Sequence, residues 1–248
     1  MKIKSNKKVI SILLGVSFIS LASIGFASWV INNPTNKGAN ATISVQIGEI
    51  DDASLTAEIS EGSGDLDTPI RFDSLDKDSC TGEFITNGEK TTENLDVTFT
   101  YTITGKTALN KGDCKVRYDF SGDADALKTA IGGTTQYIDT TCLTNCVFTL
   151  PEVAGPMSAD NNLNITNNVT YDDPEFTVAR IETTIAFKWG SAFAGNKPAG
   201  KNPCLITSDD GFTAEKIKST LEAFYNAYKT VNNGNPKITL TITPSRSE

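Results

Sequence analysis

The chain has 248 residues, with 22 Lys and Arg against 30 Asp and Glu, and no histidine at all. An acidic chain is a poor partner for nucleic acid or an anionic membrane surface. Without imidazole it cannot build a Ser-His-Asp or Cys-His nucleophile or a His-ligated zinc site, so a non-catalytic role is expected.

The first segment reads as an address. Lys2, Lys4, Lys7 and Lys8 precede an uncharged run from Val9 to Phe26, and Gly25-Phe26-Ala27 places small residues three before and one before a cut between Ala27 and Ser28. That is the layout of a secretory signal peptide over residues 1–27, with signal peptidase as a partner during export. The alternative is an uncleaved anchor, because Val9 to Ile31 is just long enough to span a bilayer. Cleavage leaves 221 residues with 18 basic and 30 acidic side chains, a net charge of −12. No second apolar run of that length follows, so no membrane contact is expected after cleavage, and the product is expected outside the cell or on its surface.

Residues 28–40 form a flexible, Pro/Gly/Asn-rich lead-in, and residues 41–248 read as one β-sandwich domain. Ile43, Val45 and Ile47 alternate with polar residues, and Leu55, Ala57 and Ile59 follow a turn at Asp51-Asp52. From Leu95 to Thr104 the alternation is strict, with Leu95, Val97, Phe99, Tyr101 and Ile103 on one face and Asp96 and four threonines on the other. A period of two over ten residues predicts a strand with one buried and one wet face. Val116, Tyr118 and Phe120 repeat the pattern, as do Leu163, Ile165 and Val169, and Ile238, Leu240 and Ile242. Phe176 to Trp189 predicts a long strand, with a change of phase near Ala179-Arg180 that suggests a bulge. Two helices interrupt these strands. One runs from Ala124 to Ile131 and stops at Gly132-Gly133. The other runs from Ala214 to Thr230, capped by Thr213, with Ile217, Leu221, Phe224, Tyr225 and Tyr228 on one face and Asn232-Asn233-Gly234 at its end.

All five cysteines, Cys80, Cys114, Cys142, Cys146 and Cys204, lie beyond the leader. In an exported chain they can form two disulfides, Cys142 with Cys146 being the nearest pair, or stay reduced as small buried hydrophobes. The acidic pairs Asp51-Asp52, Asp172-Asp173 and Asp209-Asp210 read as hydrated turn residues. Asp73, Asp76 and Asp78 put oxygen ligands on one loop and can hold calcium, but lack the Gly and terminal Glu of an EF-hand. No other cofactor is expected.

Three stretches together carry a resemblance. The leader ends in Phe26-Ala27-Ser28-Trp29-Val30. A linker then enters Ala41-Thr42-Ile43-Ser44-Val45-Gln46-Ile47-Gly48-Glu49-Ile50. Later come Phe187-Lys188-Trp189-Gly190-Ser191-Ala192-Phe193, Gly195 and Pro198, then Asn202-Pro203, the amphipathic helix and a last strand. This combination resembles the TasA/camelysin family of Gram-positive exported proteins, whose leaders are cut by a SipW-type signal peptidase. The resemblance does not reach residues 55–170. It implies a jelly-roll-like antiparallel β-sandwich with one or two inserted or C-terminal helices, acting as a secreted structural protein of the cell surface or biofilm matrix. It also implies self-association, or association with other matrix proteins, by adding an N-terminal strand to the next subunit. Trp29, Val30 and Ile31 are then the better donor segment, and Thr42 to Ile47 an ordinary first strand of its own sheet. The alternative is an extracellular carbohydrate-binding or adhesin module, with Trp189 and Phe193 as a stacking platform. A camelysin-like protease finds no support, since the chain carries no H-E-x-x-H.

Overall fold

In the computed structural model, residues 39–60, 67–71, 95–132, 136–157, 164–203, 206 and 208–247 are described. The strands are β1 (Asn40–Ile47), β2 (Leu55–Ile59), β3 (Asp67–Arg71), β4 (Asp96–Gly105), β5 (Cys114–Gly122), β6 (Ile138–Asp139), β7 (Cys146–Thr149), β8 (Gly155–Pro156), β9 (Ile165–Tyr171), β10 (Val178–Ala186), β11 (Lys188–Trp189) and β12 (Lys237–Arg246). The helices are α1 (Ala124–Ile131) and α2 (Ala214–Lys229). The two helix expectations therefore hold, with Thr230 serving as the C-terminal cap of α2 rather than its last turn.

Two five-stranded sheets face each other. The first has the order β3-β1-β12-β5-β7, the second β2-β4-β10-β9-β8, and β11 and β6 form a small third ribbon. The chain passes from one sheet to the other at every connection between β1 and β5, as a jelly-roll-like sandwich requires. The pairings are antiparallel except one: β1 runs parallel to β12, with Ile43 beside Ile238 and Ile47 beside Ile242. The first and last strands of the domain thus lie side by side at the centre of one sheet.

The alternation in the sequence is what fills the interior. Ile43, Val97, Tyr101, Ile103, Val116, Tyr118, Ile181, Ile238, Leu240 and Ile242 are at most 1% exposed. Each such aliphatic or aromatic side chain contributes about 1.5–3 kcal/mol by leaving water. The opposite faces carry Thr98, Thr104, Lys115, Arg117 and Glu182 to solvent.

The expected bulge near Ala179 is absent. β10 pairs with β4 in unbroken register from Val178 opposite Thr104 to Ala186 opposite Asp96. The irregular residue lies before the strand: Phe176 has φ 57°, its ring edge-on to Tyr171 at 5.2 Å. The Asp173 carboxylate holds that turn by accepting from the amides of Thr177 and Val178 and from the Thr177 hydroxyl. The change of phase read from the sequence came from Phe176 and Val178, apolar but only half-buried, which are out of step with the inward set Ala179, Ile181, Thr183 and Ile185.

α2 begins where the Thr213 hydroxyl accepts from the Lys216 amide at 3.2 Å. Ile217, Leu221, Phe224, Tyr225 and Tyr228 are its buried face. Asn232, Asn233 and Gly234, with φ of 45°, 55° and 76°, end it by taking the left-handed conformation that asparagine and glycine tolerate best. The chain then enters β12, anchored because the Asp123 carboxylate accepts from the Lys237 amide and the Asn232 side chain.

Candidate functional site: sheet edges, a charged groove and two buried centres

The four outer strands of the two sheets are β3, β7, β2 and β8. In an antiparallel ladder alternate residues turn both N–H and C=O toward the neighbour, and the rest turn them away. The Leu150 amide donates to the Cys114 carbonyl at 3.0 Å, one step beyond the Lys115–Thr149 pair. By this parity Cys146 and Phe148 bond to β5, and Val147 and Thr149 present their backbone groups outward. The same reasoning applies to β8, where the Met157 amide donates to the Asn167 carbonyl, so Pro156 faces outward and offers no N–H. In β3 the outward set includes Pro69, because Thr42 bonds to β12 and its neighbours Ala41 and Ile43 bond to Ile70 and Thr68. In β2 the bonds at Ser54 and Ser60 leave Ala57 and Ile59 outward, on a strand whose solvent face carries Glu58.

Prolines and charges on edge strands discourage pairing with another chain. β3 contains Asp67, Pro69 and Arg71, β2 contains Glu58, and β8 contains Pro156. β7, Cys146-Val147-Phe148-Thr149, has neither. Val147 is 48% exposed, and Val153 in the loop after it is 72% exposed; among the described residues these are the exposed large hydrophobic side chains.

Beside β7 a groove of about 680 Å³ crosses the outer face of the first sheet. Glu49, Asp51 and Asp52 of the β1–β2 turn form one wall, and Lys115 and Arg117 of β5 lie across from them. Arg117 is engaged by Asp119 at 2.7 Å, and Arg246 by Asp113 at 3.1 Å. The Ser54 hydroxyl and amide hold the Asp52 carboxyl below the usual carboxylate range.

The interior holds a polar centre that bridges the sheets. Tyr118 of β5 donates its hydroxyl to Asn167 Oδ1 of β9 at 2.7 Å, Thr183 of β10 donates to the same oxygen at 2.7 Å, and the hydroxyls of Tyr101 and Tyr118 lie 2.9 Å apart. All four residues are at most 1% exposed. Burial pushes both tyrosine hydroxyls well above their ordinary range. Asn167 Nδ2 has no partner among the described residues. Sequence reading missed this centre. Tyr101 and Tyr118 stand on the alternating apolar face, and the same period of two puts Asn167 between Ile165 and Val169 and Thr183 between Ile181 and Ile185; that spacing is the signal, but it does not show that the four meet.

The second buried centre is the Trp-Gly loop. The structure brings Trp189, Gly190, Phe193 and Gly195 together, and adds Tyr137 and Phe224. Trp189 meets Phe193 edge-on at 5.1 Å and Phe224 at 6.2 Å, and Tyr137 lies 5.8 Å from Phe224. Gly190 donates to the Tyr137 carbonyl, and a side chain there would overlap the carbonyl oxygen of Gln136. Gly195 has φ 59°, and a Cβ on it would overlap the carbonyl oxygen of Asp210. Phe193 is fully buried and Trp189 is 7% exposed, so neither ring offers a face to a sugar and the stacking platform is not formed. Asp210 is corrected too. Its side chain is 3% exposed and holds Lys201 at 2.9 Å, so it is a buried ion-pair member rather than a hydrated turn residue.

Cys114, Cys142 and Cys146 are free thiols. The expected Cys142–Cys146 bridge is not made: Cys142 is buried in a one-turn 3-10 helix, Thr141–Leu143, whereas Cys146 opens β7 opposite Tyr118. Burial pushes the Cys114 and Cys146 thiols up to about 11, so both are protonated and unreactive at neutral pH. Ala27, Ser28, Trp29, Val30 and Ile31, the acidic loop at Asp73, Asp76 and Asp78, and Cys80 and Cys204 all lie outside the described residues. Among the described residues no three His, Cys, Asp or Glu side chains are placed to share a metal ion. Comparison of the chain with family models, with curated proteins and with solved structures finds no match.

Proposed function

We propose that this chain is an exported structural protein of the cell surface or extracellular matrix, similar to the TasA/camelysin family, and that it self-associates by strand addition. The observation that supports this most is a β-sandwich bearing one edge strand, β7, with outward backbone groups, an exposed valine and no proline or charge to deter a partner. Strand addition draws its affinity from main-chain hydrogen bonds, and an open edge is the part it needs. β1 is already paired on both sides, with β3 and with β12. The donor therefore lies upstream of it, in Trp29, Val30 and Ile31, behind the leader-like segment. An acidic chain without histidine suits this use, since no proton-transfer chemistry is asked of it.

The test is electron microscopy of the purified protein beginning at Ser28, with and without Ser28 to Lys37. Filaments are expected from the longer form. Their loss in the shorter form, with an unchanged circular dichroism spectrum and melting temperature, supports strand donation. Filaments that survive the deletion overturn it.

A further inference from the structure

The geometry points to a second occupant of the same edge, in competition with the N-terminal segment: where no donor strand fills it, β7 pairs antiparallel with β7 of another copy, joining two first sheets edge to edge about a two-fold axis. The inference goes beyond strand donation, because every residue it uses lies between Cys114 and Thr149. Its basis is the contrast among the four edges. β3 and β8 present prolines where a partner would seek an N–H, and β2 and β3 carry charged side chains. β7 presents the N–H and C=O of Val147 and Thr149, with only Val, Phe, Thr and Cys along its length.

A second β7 is the partner whose pattern fits that edge. The outward residues are two apart, so an antiparallel copy centred on Phe148 sets Val147 opposite the copy's Thr149 and Thr149 opposite the copy's Val147. Both pairs are of the type that exchanges two hydrogen bonds, giving about four across the axis. On the outer face Val147 packs against a threonine methyl, and the flanking cations Lys115 and Arg117 stay one strand back on β5, away from their counterparts. Phe148 is 1% exposed and remains in its own core, so neither sandwich must open. A two-fold contact of this kind uses the same patch on both partners and closes at two copies, the commonest symmetry of soluble oligomers.

Sedimentation equilibrium of the purified protein over a concentration series tests the proposal. Protein lacking Ser28 to Lys37, in which no donor strand can fill the edge, is expected to dimerise. Thr149→Pro removes an outward N–H without touching the β5 ladder, and Val147→Lys places a charge on the exposed face. Each is expected to weaken the dimer at least tenfold while leaving the melting temperature unchanged. The Val147→Lys variant keeps the test valid if the proline disturbs folding. Amide exchange gives a local readout, because the Val147 and Thr149 amides are expected to be protected in the dimer and exposed in Val147→Lys. A protein that stays monomeric at its solubility limit overturns the proposal, as does a dimer indifferent to both substitutions. The protein beginning at Ser28 separates this contact from strand donation. A donor strand on β7 displaces the dimer there, whereas loss of the dimer from protein lacking Ser28 to Lys37 overturns the pairing whatever becomes of filaments.

Discussion

The two buried centres of this molecule are built from opposite materials. The centre between the sheets is polar, with Tyr101, Tyr118, Asn167 and Thr183 sharing hydrogen bonds in a space without solvent. The centre under α2 is dry, with Tyr137, Trp189, Phe193 and Phe224 stacked edge to face at 5.1–6.4 Å. A dry cluster gains from every ring it excludes from water and tolerates small shifts. A polar cluster gains little net energy per bond and loses much when one member is missing. The first kind of centre is suited to holding α2 against the ribbon of β6 and β11. The second fixes which residues of the two sheets face each other, since only one alignment lets the Tyr118 hydroxyl reach Asn167.

The largest effect is expected in the dry centre. Phe193→Ala removes a fully buried ring from contact with Tyr137 and Trp189, and should cost about 3–5 kcal/mol in chemical denaturation. Phe193→Leu, which refills most of the volume, should recover much of that. If the two variants cost the same, the rings are not close-packed and the contrast between the centres is wrong.

These centres also differ in how far the sequence announced them. The helix face, Ile217 to Tyr228, and the Trp-Gly loop were readable, because helical periodicity and a glycine beside a large aromatic are local signals. So were β1, β4, β5 and β12, where alternation runs for several residues. The polar centre was not readable. The period of two puts Asn167 in line with Ile165 and Val169 and Thr183 in line with Ile181 and Ile185, but only the tertiary fold brings them to Tyr118. β3 and β7 were missed for a related reason: they are four or five residues long, and their standing as edges depends on sheet order, which alternation does not encode. The Cys142–Cys146 expectation failed because closeness along the chain says nothing about which way two side chains point.

A smaller effect is expected in the polar centre. Tyr118→Phe keeps the ring contact with Phe148, at 5.0 Å, and removes only the hydroxyl that joins the sheets. Tyr101 then keeps only Thr183 and Asn167 keeps one donor, for a cost of about 1–3 kcal/mol. Thr183→Val in the same background should cost more than it does alone, because it removes the last donor to the buried Asn167 oxygen. Additive costs in that double-mutant cycle would show that the four groups are neighbours without being a network.

The smallest effect is one of pH, and its sign follows from burial. Cys114 and Cys146 are pushed up to about 11, and Tyr101 and Tyr118 are raised as well, in each case chiefly because burial penalises the charged form. Below about pH 7.5 all four are protonated whether the chain is folded or not, so pH has no hold on stability through them. As pH rises from about 8 toward 11 the unfolded chain releases the thiol protons first and the phenol protons above about 10, while the folded chain keeps them, which draws the equilibrium toward unfolding. The melting temperature is therefore expected to be level up to about pH 7.5 and to fall beyond it. Cys146→Ser removes one raised thiol at the sheet margin and should make the fall slightly shallower. Tyr118→Phe removes a raised phenol from the polar centre and should change the fall less between about pH 8 and 10, because an unfolded tyrosine releases its proton only at about pH 10 whereas an unfolded cysteine has done so at about 8.5. The reverse order would place the alkaline weakness at the centre of the sandwich and not at its margin.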